Sequence, residues 1–366
     1  MHKTGIMICG HGSRAKSAEE EFSLLAKGLR ERFGDIPVEY GFLEYSAPNI
    51  HMGLDALRDA GVDEIVAVPG MLFAATHAKN DIPSVLTTYQ KKNPGLTIKY
   101  GRELGLHPQM IAAFEKRILE ALGLDHVHVG DLYDTMLVVV GRGTSDTLAN
   151  AEAARLTRIV TENLGFGWSE TVYSGVTFPS VGRGLELAVK LGFKRIVVAP
   201  YFLFSGRLID RIYAYVDRVA KSQPDITFFK AHYLADQDHV IDTFVERIHE
   251  ARQEQLEVSQ NLMTSFVERL DRGEVEVHHH HAEFRDPLDE EAHVSHNHDH
   301  SHDGDHDHDH GHHHSHGHSH GTYIHIAHPN GPRTMIDEGV CCCFMSQFPQ
   351  AVIDDERANR QKIVDK

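Results

Sequence analysis

Short apolar runs alternate with amphipathic stretches through the first 255 residues. Ile6–Cys9 is an apolar run ending in glycine, and Ser17 opens a predicted helix in which Glu20 completes a capping box. Phe22, Leu25, Leu29 and Phe33 then recur at helical spacing. Val38–Phe42 reads as a second strand, His51–Ala60 as a helix and Ile65–Val68 as a third strand. Asp81–Gln90 reads as helix, Thr97–Tyr100 as a fourth strand and Pro108–Leu122 as a closing helix. Further strands fall near Leu137–Val140, Thr171–Ser174, Ile196–Ala199 and Thr227–Ala231. Short β-branched runs alternating with helices imply a parallel sheet covered on both faces. Ligands of such sheets bind beyond the carboxyl ends of the strands.

The pattern occurs twice. Gly10-His11-Gly12-Ser13 corresponds to Gly141-Arg142-Gly143-Thr144 at an offset of 131, and Gly61–Val66 corresponds to Gly192–Val197 at the same offset. Pro48 maps to Pro179, Pro69 to Pro200 and Phe73 to Phe204. After one deletion, Phe114, Arg117 and Ile118 map to Phe244, Arg247 and Ile248. Register held over this length marks two copies of one domain. The boundaries are expected at 1–125 and 133–255, with a polar helical linker over 256–277.

From His278 the composition changes. Residues 278–328 form a His-rich segment whose His, Asp, Ser and Gly bury too little surface to offset chain entropy, so disorder is expected. Residues 329–366 carry three adjacent cysteines and are too short for a core of their own.

Composition narrows the function classes. The chain has 366 residues, is 41% hydrophobic and carries a net charge of −17, which argues against a nucleic-acid footprint. No apolar run approaches the ~18 residues of a membrane span. The N-terminus lacks the apolar stretch of a signal peptide, and four cysteines make no disulfide framework, so a cytoplasmic location is expected. Thirty histidines are abnormal, and 20 of them lie between His278 and His328.

Three polar residues of the first copy fall where a site belongs. His11 follows the first strand, Glu44 the second, and His77 lies in the loop after the third. Two imidazoles and a carboxylate at one sheet edge suit a divalent transition metal, although unrelated loop residues would give the same spacing. The second copy is an internal control: Arg142, Gly175 and Leu208 stand opposite the trio. It keeps the glycines, prolines and apolar positions but not these three, as expected for one working and one degenerate site.

Ile8-Cys9-Gly10-His11-Gly12-Ser13-Arg14, Phe42-Leu43-Glu44 with Pro48, and Val68-Pro69 followed by His77 and Asp81-Ile82-Pro83 resemble the class II tetrapyrrole chelatases. The duplication, Gly141–Asp146, Phe204–Arg211 and the following His-rich stretch resemble the long-form sirohydrochlorin cobaltochelatases within that family. The resemblance implies an α/β fold of two tandem chelatase-like domains, each a four-stranded parallel sheet flanked by helices, followed by a disordered His-rich tail. It implies an enzyme inserting Co²⁺, its substrate metal, into sirohydrochlorin in corrin-ring (cobalamin) biosynthesis, in the cleft between the halves. Its partners would be the tetrapyrrole and divalent metal ions, with no nucleotide, nucleic acid or membrane. By motif match His11 and His77 would bind the metal and Glu44 would assist by accepting a proton. Ser13, Arg14, Arg142 and Ser145 are candidates for the substrate's carboxylates, or else loop and capping residues.

Fe²⁺ (siroheme) or Ni²⁺ insertion is the close enzymatic alternative, because His and Glu ligands discriminate weakly among these ions. A His-rich metal buffer or metallochaperone is the alternative of another class. The alternating tract, including His308, His310, His312, His314, His316, His318 and His320, is expected to bind divalent metals, as a store or delivery arm or only as an inert linker. Cys341, Cys342 and Cys343 are candidates for an iron–sulfur cluster or a thiol site, or have no such role, since the fourth cysteine, Cys9, is expected in the core. Self-association into a homo-oligomer is left open by the sequence.

Overall fold

The computed structural model describes residues 3–13, 15–253, 261–275 and 277, with short pieces at 335–336, 340–341, 351–352, 354–355 and 358. Arg14, the tract histidines from His308 to His320, Cys342 and Cys343 lie outside the described residues.

In the first copy, β1 (Thr4–Gly10) leads through α1 (Lys16–Phe33) to β2 (Val38–Phe42), and α2 (Ile50–Asp59) leads to β3 (Glu64–Pro69). A π-helical turn, His77–Asp81, runs into α3 (Ile82–Lys92), then β4 (Thr97–Tyr100) and α4 (Pro108–Leu122). The second copy repeats the order as β5 (Thr135–Gly141), α5 (Thr147–Leu164), β6 (Trp168–Tyr173), α6 (Val181–Lys190), β7 (Arg195–Pro200), α7 (Arg207–Ser222), β8 (Thr227–Lys230) and α8 (Asp238–Arg252). Both sheets are parallel and four-stranded, ordered β2-β1-β3-β4 and β6-β5-β7-β8. A further helix, α9 (Leu262–Asp271), follows, and β9 (Met335–Ile336) pairs antiparallel with β10 (Val340–Cys341). Among the described residues, no helix is long and apolar enough to cross a membrane.

Strand alternation splits the core. Ile6 and Ile8 of β1 face one layer, with Phe22, Leu25 and Leu29 of α1. Met7 and Cys9 face the other, with Leu54 and Leu57 of α2 and Ile82 and Leu86 of α3. The first of these layers is shared between the copies. The closing helices are exchanged: α8 packs on β3 and β4 of the first copy, and α4 packs on β7 and β8 of the second. Phe114 of α4 meets Tyr201 at a ring-centroid distance of 5.1 Å, and both are buried. Arg247 of α8 donates from Nε to the Glu103 carbonyl (2.9 Å) and from Nη2 to that of Leu104 (2.7 Å). The packed unit therefore spans both copies.

The expected capping box does not form. The helix begins at Lys16, Ala15 provides no side-chain cap, and the Ser17 hydroxyl instead meets that of Ser205 across the copies at 3.0 Å. The start is organised upstream, where Ser13 Oγ accepts the Ala15 N–H at 3.0 Å.

Candidate functional site

In the strand order β2-β1-β3-β4 the chain leaves β1 towards one edge and β3 towards the other, so the crevice opens between the ends of β1 and β3. His11 follows β1 and His77 follows β3, and their rings meet edge to face with centroids 4.4 Å apart. The turn holding His11 requires glycine next to it. Gly12 has φ 97°, and a Cβ there would lie 1.7 Å from the Glu44 carbonyl oxygen. Gly143 repeats this in the second copy, at φ 81° and 2.0 Å from the Gly175 carbonyl oxygen.

His77 was expected in a loop and instead begins the π-helical turn, closed by the Ile82 N–H donating to the His77 carbonyl five residues back. Asp81, four residues on, meets His77 across the turn, with Oδ2 2.6 Å from Nδ1. A carboxylate only accepts, so Nδ1 holds a proton and Nε2 is the nitrogen left to face a metal. The Gly12 carbonyl, 3.1 Å from Nδ1 of His11, sets the same tautomer there. Burial, with smaller contributions from Arg142 and His77, pushes the His11 pKa down to about 3. His11 therefore stays neutral in mild acid, with Nε2 bare.

A cleft of about 920 Å³ runs between the copies, lined by His11, His77 and Asp81 on one side and by Arg142, Arg207 and Leu208 on the other. Phe73 and Phe204, equivalent by the repeat, both line it, as do Ser13 and Ser145. The Ser13 N–H is taken by Ser46 Oγ at 2.9 Å. Arg142 reaches cleft water although protein surrounds it; that burial lowers its pKa, and Glu44 opposes the shift. Glu44 does not join the two imidazoles. Its N–H donates to the His11 carbonyl at 3.0 Å, Tyr45 is the residue of that loop lining the cleft, and the carboxylate interacts with Arg142. Among the described residues, no three His, Cys, Asp or Glu side chains are grouped to hold a metal. Cys9 is buried and its thiol is pushed far up by desolvation, so it is a core residue rather than a thiolate ligand.

Three contributors escaped the sequence reading. Asp81 had a signal, the His-x-x-x-Asp spacing, hidden because the helix was started at Asp81. The Lys79–Asp146 ion pair ties the His77 turn to the N-cap of α5 in the other copy. Val275, far beyond the second copy in sequence, also lines the cleft.

The profile of the CbiX family matches residues 5–121 and 136–251, the two copies. A sirohydrochlorin cobaltochelatase of Priestia megaterium is 34% identical over 229 residues, covering 62% of this chain and 73% of that protein. A sirohydrochlorin ferrochelatase of the same organism is 27% identical over 257 residues, covering 69% of this chain and 93% of its own length. The structure of SirB from Bacillus subtilis with Fe³⁺ superposes with a TM-score of 0.61 at 26% identity, over 69% of this chain and 97% of that one. Two matched copies, the exchanged α/β halves and the cleft between them place the chain in the CbiX family of class II tetrapyrrole chelatases, the sirohydrochlorin chelatases.

Proposed function

We propose that the chain inserts Co²⁺ into sirohydrochlorin, with His11 and His77 as the ligands that present the ion. The observation carrying this reading is the pair of adjacent imidazoles, each with Nδ1 occupied by an acceptor, at the mouth of a cleft shared by both copies. Two neutral nitrogen donors hold a divalent ion while water fills its other positions. Insertion exchanges those ligands for four ring nitrogens and releases two pyrrole protons. Glu44, which interacts with Arg142, is assigned the role of proton acceptor. Arg142, Arg14, Ser13 and Ser145 are assigned to the carboxylates of the ring. Arg207, which lines the cleft beside Leu208, joins them.

Fe²⁺ is the second reading. It is favoured by the ferrochelatase relative, which is matched over more of its length than the cobaltochelatase. An absorbance assay of purified protein with sirohydrochlorin and Co²⁺, Fe²⁺ or Ni²⁺ separates the readings. Fastest turnover with Co²⁺ is expected; faster turnover with Fe²⁺ or Ni²⁺ reassigns the metal, and none with any ion rejects the enzyme in favour of a metal buffer.

A further inference from the structure

The match to the chelatase family ends at residue 251, yet the chain beyond it returns to the site. Asn261 caps α9 by accepting the Thr264 N–H at 2.9 Å, and Leu262 and Phe266 are its buried residues. The helix packs on α3, β4 and the π-helical turn, all of the first copy. Thr87 of α3 donates to Met263 Sδ at 3.5 Å. Nearly two turns further on, the Arg269 guanidinium spans the middle of the turn that begins at His77 and ends at Asp81. Nη1 donates to Asn80 Oδ1 at 2.7 Å and Nη2 to the Lys79 carbonyl at 2.8 Å. The chain then places Val275, 7% exposed, in the wall of the cleft.

A π-helical turn has poorer hydrogen-bond geometry than an α-turn and persists where its surroundings support it. Rewinding it to the α-helical period would turn His77 about the axis of α3 and away from His11, whose ring it meets at 4.4 Å. Arg269 bonds to backbone and side chain inside this turn, while the Lys79 side chain is held from the other copy by Asp146.

We infer that residues 261–275 are a working part of the chelatase site, with Arg269 as the positioning residue that fixes the π-helical turn and so aims His77. This rests on the proposed role of His77 as a metal ligand.

The test uses the full-length chain with Arg269→Ala and Arg269→Lys. Backbone amide exchange over peptides covering 77–82 is read first, because it requires no activity. At least tenfold faster exchange there is expected in Arg269→Ala, with α6 and α7 unchanged and partial recovery in Arg269→Lys. Wild-type exchange in this turn overturns the brace whatever the protein catalyses. Kinetics follow in buffered free Co²⁺: the apparent KM for metal should rise about tenfold while that for sirohydrochlorin stays within twofold. Adding Arg269→Ala to Asp81→Asn should cost little more than Asp81→Asn alone, because both act through His77. Full multiplicative loss, or an unchanged KM for metal, overturns the positioning role. An inactive wild-type chain whose turn still loosens in Arg269→Ala would reject the chelatase reading and retain the brace.

Discussion

Arg117 and Arg247, equivalent by the repeat, make the same bond in opposite directions. Arg117 Nη2 donates to the Leu234 carbonyl at 3.0 Å, and Arg247 Nη2 donates to the Leu104 carbonyl at 2.7 Å. Each reaches from a closing helix to the loop that follows the last strand of the other copy. Arg247 is the more committed of the two, being 1% exposed and paired with Glu250 at 2.7 Å. Removing it leaves two inward-facing carbonyls and a carboxylate without their donor. Arg247→Met should cost about 2–4 kcal/mol and Arg117→Met about 1 kcal/mol. Urea unfolding measures both. A single transition is expected, since neither copy has a core layer of its own on the shared side.

Asp81→Asn tests the tautomer at His77. An amide can turn its NH₂ towards Nδ1, which moves the ring proton to Nε2 and blocks the lone pair. The apparent affinity for substrate metal should fall 10–100-fold. The readout is initial rate against buffered free Co²⁺. Binding of sirohydrochlorin alone, followed by absorbance, should hold.

The histidines and Glu44 divide by kinetic parameter. His11→Ala and His77→Ala should each remove most turnover, with circular dichroism unchanged because neither side chain is fully buried. Glu44→Gln keeps the shape but cannot accept a proton, so kcat should fall about 10²-fold with little change in KM for metal. Rates like the wild type in the double histidine variant would end the mechanism.

The pH behaviour of His11 has a definite sign. Its folded pKa, about 3, lies below the unfolded value of 6.5, so the unfolded chain takes the proton first. Its contribution to stability is complete above pH ~6.5 and is lost as pH falls towards 3. Urea stability of the metal-free protein relative to His11→Ala should decline over that window. Arg142 helps hold the value down, so Arg142→Ala should raise it, ending the loss at a higher pH and making it smaller.

Truncation separates the tail from the site. A chain ending at residue 277 keeps α9 and Val275, and should turn over at the full rate with abundant Co²⁺. Its deficit should appear only when free metal is scarce, as expected if the tract histidines gather ions. Cutting before Asn261 should instead impair turnover at every metal concentration.

Periodicity and the repeat made the strands, their parallel pairing and the asymmetry of His11 and Arg142 legible, because those depend on local pattern and on register. The helix exchange was not legible. The apolar face of α8 reads the same whether it covers β7 or β3, and only long-range packing decides. The π-helical turn was missed because one extra residue per turn breaks the 3.6 period used to find helices. The reach of Arg269 left no trace, since an arginine on a polar helix looks like a solvated one. The Ser17 capping box failed because a hydroxyl at the copy interface found a better-placed partner.

Tyr45 and Val176 sit at φ 62° and 65°, equivalent by the repeat and both at the cleft. Left-handed backbone costs a branched residue such as valine of order 1 kcal/mol or more. The second copy carries Arg142 and Leu208 in place of the imidazoles but holds the same turn. Its shape is therefore kept without the imidazole pair. With α8 lodged in the other copy, removing this half would uncover β3 and β4 of the first. The duplication is thus held together by architecture: each half supplies the helix that closes the other and one wall of the shared cleft.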